Sequence, residues 1–256
     1  MKKEEHVSIS SKFWLCSADC LCGTLSGLIT GGGMTYFYTK YLGLDEGLAS
    51  IVWMIFAAWN ALNDPLFGYI SDRTKSKLGR RIPYIRYGAL LYGLIFILSW
   101  FLWPFGGSQM ALFAQMLLSL FFFDTFYTAI ATSLYVLPYT MAESNQARSG
   151  IFVWKIFFSL LSLGAPLVLF PLVRPDVGES AGRFQAIMIL LGVVTTLVIF
   201  FSTFFYKEKY TSDATDAPRL WESICQCLKN RAFLVYEVIS FTVIFVQTIL
   251  MQGVIY

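Results

Sequence analysis

The sequence contains little charge. Of its 256 residues, 14% are charged and 57% are hydrophobic, whereas a typical soluble domain carries about 25% charged residues. The polar residues are grouped in short segments between long apolar runs. This scarcity of charge excludes a soluble globular domain and predicts a polytopic membrane protein. We expect it in the plasma (cytoplasmic) membrane, although the composition does not itself select that membrane.

Histidine is scarce as well, and no metal-ligand set is recognisable. The single histidine, His6, lies in a polar tail, and the five cysteines form a C-x3-C-x-C group at 16–22 and a C-x-C group at 225–227. Neither group has a histidine or carboxylate that would complete a zinc site, so we interpret the cysteines as packing residues. A nucleophile–base pair and a phosphate-binding loop are also missing, which argues against an enzyme. We expect no metal and no cofactor.

Strand-like alternation is missing too, which argues against a membrane barrel. Seven apolar runs are present instead, and each is long enough for an α-helix to cross about 30 Å of hydrocarbon. Helices are expected because lipid offers no partner for unpaired backbone groups. The first run is too long for a cleavable signal peptide, and none is expected. The runs cover roughly residues 13–38, 47–70, 83–104, 109–138, 151–173, 184–206 and 232–255.

Basic residues are concentrated on one side of these runs. Of the 19 Lys and Arg residues, all but Lys40, Arg174 and Arg183 lie near the N-terminus or in loops on the same side as it. Because basic loops stay in the cytoplasm, we predict a cytoplasmic N-terminus and an external C-terminus. The same bias accounts for the net charge of +3, so no nucleic-acid partner is expected.

The order of the runs predicts three parts. They are a six-helix transmembrane bundle at 1–206, a cytoplasmic linker at 207–231 and the first helix of a second bundle at 232–256. The linker includes RLWESICQCLKN, whose apolar residues recur at helical spacing and predict an amphipathic helix on the membrane surface. Because a second bundle would need further helices, we interpret the chain as a fragment.

The second run carries polar residues at membrane depth. Asn60, Asn63 and Asp64 share one helix face at i, i+3 and i+4, and Pro65 frees a backbone carbonyl one turn earlier. Ionisable groups in a membrane span cost about 2.5–3.5 kcal/mol and usually mark function. An oxygen-rich cluster suits a monovalent cation, and a single carboxylate suits a proton. The alternative is a polar patch that pairs with another helix, for example through Lys155.

Three further acids lie within the runs. They are Asp19, Asp124 and Glu237, and we rank them for function in the order Asp124, Asp19, Glu237, after Asp64. Lys155 is the expected cationic partner of Asp64, Asp124 or Asp19, and the sequence leaves open which of them it meets.

Glycines in the first run recur every fourth residue, at Gly23, Gly27 and Gly31. Small residues on one face allow close helix packing in lipid. The same face could also line a cavity or a sliding contact, and both interpretations remain open.

The loop after the second run combines glycines with charges. Glycine permits a tight turn or a close approach, and an Asp–Arg pair can hold one conformation and release in another. We therefore predict a conformational latch, with a purely topogenic basic loop as the alternative. Its residues are Gly68, Asp72, Arg73, Gly79, Arg80 and Arg81.

Together these segments resemble a known family. NDPLFGYISDRTKSKLGRRIPYI is similar to the signature of the glycoside–pentoside–hexuronide:cation symporters of the major facilitator superfamily. The segments Tyr36–Leu44, Leu137–Lys155 and Gly182–Gly192 also resemble that family. The resemblance implies two six-helix bundles around a central site with alternating access. This chain would supply the N-terminal bundle and the first helix of the second.

The resemblance also implies a cation site. The family's two carboxylates fall on Asn60 and Asp64 and its asparagine on Asn63, and its hydroxyl ligand falls within one residue of Thr128. Because Asn60 replaces a carboxylate, the resemblance favours proton coupling through Asp64 over sodium.

The family's sugar-binding residues match less well. Its two acids fall on Thr24 and on Ile130 or Ala131, and its arginine falls on Lys155, which lacks bidentate geometry. Lys155, Asp124 and Asp19 remain as a candidate charge network for the substrate. A galactoside is therefore not indicated, although a glycoside remains a candidate.

The sequence thus predicts a secondary active transporter that couples H⁺ or Na⁺ to symport of a sugar or other small solute. An uncoupled facilitator or a non-transporting family member is the alternative. A seven-helix receptor is a remote alternative, because its N-terminus would lie outside.

Overall fold

The protein is helical wherever the structure describes it. The computed structural model describes residues 6–103, 107–176, 178, 180–209, 225 and 227–255, and these contain no strand. The all-helical prediction is confirmed. The helices are α1 (Ile9–Thr30), α2 (Gly33–Tyr36), a π-helix (Phe37–Tyr41), α3 (Glu46–Arg73), α4 (Ile82–Leu98), α5 (Gln109–Met141), α6 (Asn145–Val173), α7 (Gly182–Ser202) and α8 (Arg231–Ile255).

Each predicted apolar run contains a helix, but the helices differ in apolar character. Within the described part of the chain, five stretches are long and apolar enough to cross a membrane: Ile9–Tyr41, Gln109–Met141, Asn145–Val173, Gly182–Ser202 and Arg231–Leu250. Helix α4 is apolar but has only 17 residues. Helix α3 has 28 residues and is not among the five, because Asn60, Asn63 and Asp64 lower the hydropathy of its middle.

Four of the long helices begin at a residue that caps them. Ser8, Asp45, Ser108 and Ser144 each accept a hydrogen bond from the backbone N–H three residues later, at 3.1–3.2 Å. Such a cap satisfies one of the free N–H groups in a first helical turn. Polar residues between the apolar runs therefore set where these helices start.

The sequence predicted one helix for the first apolar run, but the structure divides this run into three helical segments. Helix α1 ends at Thr30, and Gly32 has φ 101°, a conformation that glycine adopts without steric cost. The chain then resumes as α2 and the π-helix. A π-helical turn inside a membrane span often lies near a functional site.

The glycine face of α1 packs closely against α6. A Cβ atom at Gly23 would collide with Ser162, and one at Gly27 would lie 2.7 Å from Pro166 Cγ. A Cβ atom at either position would lie closer to its neighbour than Cβ atoms do in proteins. The backbones of α1 and α6 therefore approach as closely as glycine allows. Of the two open interpretations, the structure supports close helix packing.

Aromatic rings connect four segments near the C-terminal end of α4. Trp100 is fully buried, and its ring lies 5.6 Å from Phe37, 5.2 Å from Phe184 and 6.4 Å from Phe170, measured between centroids. The contacts with Phe37 and Phe184 are edge-on, and such packing adds to the free energy of simple burial. The cluster joins the π-helix, α6 and α7 at one end of the bundle.

Helix α8 is not packed among the other helices. Its residues between Arg231 and Leu250 are largely exposed, and it contacts α6. The division into a bundle, a linker and a first helix of a second bundle stays a prediction. Most of the predicted amphipathic helix RLWESICQCLKN, namely residues 219–224 and 226, lies outside the described residues.

We expect Gly27→Leu to destabilise the bundle. The added side chain would meet Pro166, and overpacking of this kind costs about 1–3 kcal/mol. Thermal unfolding of the detergent-purified protein measures the effect. Gly164→Leu is the matched control, because a Cβ atom at that position meets nothing within 4 Å. Equal unfolding temperatures for the two variants would contradict the packing interpretation.

Candidate functional site

A buried polar cluster joins α3 to α5. The Asn63 side chain is 6% exposed, and its Nδ2 atom donates to Asp124 Oδ2 at 2.9 Å and to Thr128 Oγ1 at 3.1 Å. Asp124 and Thr128 lie one turn apart on α5 and are 5% and 2% exposed. Their i, i+4 spacing places both side chains on the face of α5 that meets α3.

Asp64 joins the cluster through the Thr128 hydroxyl. Thr128 Oγ1 donates to Asp64 Oδ1 at 2.8 Å while it accepts from Asn63. The side chain of Asp64 is exposed, unlike those of the three residues that it joins. Thr128 therefore connects an accessible carboxylate to the buried part of the cluster.

Asn60 does not belong to this group. It is half-buried, and its side chain makes no hydrogen bond with any residue that the structure describes. One turn before Asn63, α5 faces α3 with Phe121, whose ring stacks on Trp59 at 5.0 Å between centroids. At the residue next to Asn60, α5 thus contributes an aromatic contact to α3.

The structure regroups the predicted acids. Asp124, which the sequence assigned to a charge network with Asp19 and Lys155, lies instead beside Asn63 and Thr128. Lys155 Nζ pairs with Asp19 Oδ2 at 3.2 Å, which selects one of the three partners left open. The i, i+4 spacing of Asp124 and Thr128 was the available signal for their grouping.

The cluster carries two carboxylates, those of Asp64 and Asp124. Among the described residues, no Lys or Arg forms an ion pair with Asp64 or Asp124 within 4 Å. A carboxylate pair in a low-dielectric interior repels itself and attracts any cation that can reach it. The side chains together offer carboxylate, hydroxyl and amide oxygens, which are the ligands that hard cations prefer.

The basic loop has the turn that its glycine predicted. Gly79 has φ 108°, and the Arg81 side chain pairs with Asp72 at 2.6 Å. The Arg73 guanidinium lies 4.0 Å from the ring centroid of Tyr69. A Cβ atom at Gly68 would meet nothing within 4 Å. The function of this loop as a latch stays a prediction.

Sequence reasoning did not single out Glu208. Its carboxylate accepts hydrogen bonds from consecutive backbone amides of the basic loop and α4. The sequence separation exceeds 120 residues, so no local spacing could have indicated this contact.

Comparison with known proteins gives one family match. Residues 23–256 match the family described as MFS/sugar transport protein. The match covers more than nine-tenths of the chain and includes both helices of the polar cluster.

Individual relatives are similar at 26–30% identity. The putative glycoside/cation symporter YagG of Escherichia coli is 29% identical over 188 residues, which are 70% of this chain and 39% of that protein. The uncharacterized symporter YnaJ of Bacillus subtilis is 26% identical over 247 residues, 94% of this chain and 52% of its own length. The sodium-dependent lysophosphatidylcholine symporter 1 of Mus musculus is 30% identical over 168 residues, 62% of this chain and 30% of that protein. The chain thus spans about half, or less, of the length of these relatives.

We expect Thr128→Val to loosen the contact between α3 and α5. The change removes the hydroxyl that accepts from Asn63 and donates to Asp64, and loss of two such bonds costs about 1–3 kcal/mol. Thr128→Ser keeps the hydroxyl and should restore most of the stability. Thermal unfolding in detergent measures both effects.

Thr125→Val is the matched control for this comparison. The Thr125 hydroxyl donates only to the Phe121 carbonyl of its own helix, at 2.7 Å. If Thr125→Val and Thr128→Val lower the unfolding temperature equally, the hydrogen bonds of Thr128 to Asn63 and Asp64 do not stabilise the contact between α3 and α5.

Proposed function

Because the chain belongs to the MFS/sugar transport protein family, and within it to the glycoside–pentoside–hexuronide:cation symporters of the major facilitator superfamily, we propose that it forms part of a secondary active transporter that moves a small solute by cation-coupled symport. The protein is a multi-pass integral membrane protein. Relatives of the chain are named as symporters.

The observation that carries this proposal is the pair of carboxylates on α3 and α5. Asp64 and Asp124 are connected through Thr128 and Asn63, and among the described residues no basic side chain neutralises either of them. Each uncompensated charge at membrane depth costs about 2.5–3.5 kcal/mol. A bound cation would remove part of that cost, so the cluster is stabilised by the ion that it binds.

Rotation of the Asn63 amide would convert the cluster into a ligand set. At present its NH₂ group points at Asp124 and Thr128. A half-turn about the last side-chain torsion would present Oδ1 in its place, and the amide oxygen would join the two carboxylates and the hydroxyl. Four side chains would then surround one cation.

Cation binding would favour the conformational change of the transporter. With its charge reduced, the cluster can pass through the closed state at a lower electrostatic cost. A membrane potential of about 100 mV supplies about 2.3 kcal/mol for each co-transported charge. Coupling then follows if closure requires both the cation and the solute.

The geometry favours Na⁺ over H⁺ as the coupling ion. The sequence favoured the proton because Asn60 stands where the family carries a second carboxylate. Asp124, on α5, supplies a second carboxylate to the same cluster, and two carboxylates with two neutral oxygens suit a hard monovalent cation. Proton coupling through Asp64 alone is the alternative.

The solute is proposed as a glycoside or a related small molecule. One relative is named as a putative glycoside/cation symporter and another as a lysophosphatidylcholine symporter, so related proteins carry different solutes. The Asp19–Lys155 pair between α1 and α6 is the proposed polar contact for the solute. The plasma membrane is the proposed location, in line with the relative named as inner membrane symporter YicJ.

We expect Asp64→Asn and Asp124→Asn each to abolish coupling. Each substitution removes one carboxylate, and binding of radioactive Na⁺ to the purified full-length protein should fall at least about tenfold, since one lost charge-assisted ligand is worth about 1.5–3 kcal/mol. Gradient-driven uptake should fall in parallel. Glu237→Gln, an exposed position on α8, is the control. Undiminished accumulation by Asp64→Asn would refute cation coupling at this cluster.

Asn60→Asp tests whether the cluster is complete without position 60. Because the Asn60 side chain has no hydrogen bond with Asp64, Asn63 or Thr128 among the described residues, the added carboxylate should change Na⁺ affinity less than about threefold, a difference below about 0.7 kcal/mol. The measurement is Na⁺ binding at fixed pH. A large gain in affinity would show that position 60 is a ligand and that Asp124 does not replace it.

A further inference from the structure

We infer that Glu208 is a positioning residue that holds the basic loop against the segment following α7. This segment, residues 203–209, is called the anchor segment below. The inference concerns the loop and not the cation cluster, so it stands or falls independently of the transport proposal.

The Glu208 carboxylate caps the start of α4. Its Oε1 atom accepts from the N–H groups of Arg81 at 2.8 Å and Ile82 at 3.1 Å, and Oε2 accepts from the N–H of Arg80 at 3.0 Å. Helix α4 has no capping side chain of its own. Free N–H groups at a helix start attract a carboxylate by hydrogen bonding and by the helix dipole. A residue far along the chain thus supplies the cap that the local sequence lacks.

Gly79 is required for this approach. A Cβ atom at Gly79 would lie 2.6 Å from the Glu208 carboxyl carbon, closer than real Cβ atoms come. Its φ of 108° is also one that other residues rarely adopt. The glycine of the basic loop therefore serves the contact with Glu208 as well as the turn.

The anchor segment is itself fixed to the rest of the bundle. Ser11 Oγ donates to the Phe205 carbonyl at 2.6 Å, and Arg86 Nε donates to Thr203 Oγ1 at 2.8 Å. The N–H of Lys209 donates to the Thr140 carbonyl at 3.0 Å. Contacts with α1, α4 and the end of α5 make this segment a rigid support.

Two contacts then meet at Arg81. Its backbone N–H binds Glu208, and its guanidinium binds Asp72 at the end of α3. Glu208 therefore fixes the arginine half of the ion pair, and the orientation of the pair depends on the anchor segment. A conformational change that moves the chain beyond Lys209 would reach the loop through this carboxylate.

Limited trypsin digestion of the full-length protein in permeabilised membranes tests the inference. Between the end of α3 and the start of α4, residues 74–81 of the loop contain four trypsin sites, Lys75, Lys77, Arg80 and Arg81. Permeabilisation allows access from both sides. Glu208→Ala should speed cleavage at these sites about tenfold, as expected for loss of a helix cap, and Glu208→Gln should have an intermediate effect. Lys207→Ala, an exposed neighbour, is the matched control and should leave the loop unchanged.

Two comparisons separate positioning from general destabilisation. Arg80→Gln should leave the rate at Lys75 and Lys77 within twofold, because Glu208 contacts the backbone amide of Arg80. Thermal unfolding of the detergent-purified Glu208→Ala protein should remain close to that of the wild type. An unchanged cleavage rate in Glu208→Ala would overturn the inference, and so would a rate increase matched by a general loss of thermal stability.

A double substitution tests the link between Gly79 and Glu208. Gly79→Ala should speed loop cleavage strongly in the wild type and less in the Glu208→Ala background, because the collision is then absent. Gly43→Ala is the control for backbone strain, since Gly43 has φ 78° with nothing within 4 Å of its added Cβ; it should leave the loop rate unchanged. Fully independent effects of Gly79→Ala and Glu208→Ala would overturn the proposed contact.

Discussion

The structure depends on the cost of keeping carboxylates inside a membrane-spanning bundle. Asp124 is almost fully buried, yet it is held by Asn63, whose amide also reaches Thr128. These bonds require α3 and α5 to lie close together at one register. They also require a polar middle in α3, which is why this helix is less apolar than the five that qualify as spans by composition. Site chemistry and helix packing are therefore satisfied by the same residues.

Glycines serve two different purposes in two parts of the molecule. Within the span, Gly23 and Gly27 let α1 approach α6. In lipid the hydrophobic effect does not drive helices together, so their association depends on close packing of this kind. At the basic loop, Gly79 makes room for the Glu208 carboxylate. In the first case glycine serves dispersion contact, and in the second it serves a charge-assisted hydrogen bond.

Local pattern predicted the features that lie within one helix. The seven helical runs, the shared position of Asn63 and Asp64, and the glycine face of α1 all follow from spacing along the chain. The partner of Lys155 and the place of Asp124 did not, because they depend on how neighbouring helices are rotated and offset. Asn60 shows the limit clearly: it lies one turn from Asn63, but α5 presents Phe121 at that level. The Glu208 contact joins residues more than 120 positions apart, which no periodicity encodes.

The unequal exposure of the two carboxylates gives the polar cluster an entrance and a back wall. Asp64 is exposed and Asp124 is 5% exposed, and Thr128 has a single hydroxyl proton, which it gives to Asp64. An arriving ion would thus meet Asp64 first and would replace the hydrogen bond from Thr128 to Asp64 before it reached Asp124. It would also leave by the way it came. If the cluster binds a cation as proposed, an ion in such a dead-end site would keep its position in the bundle while the compartment facing the entrance changes.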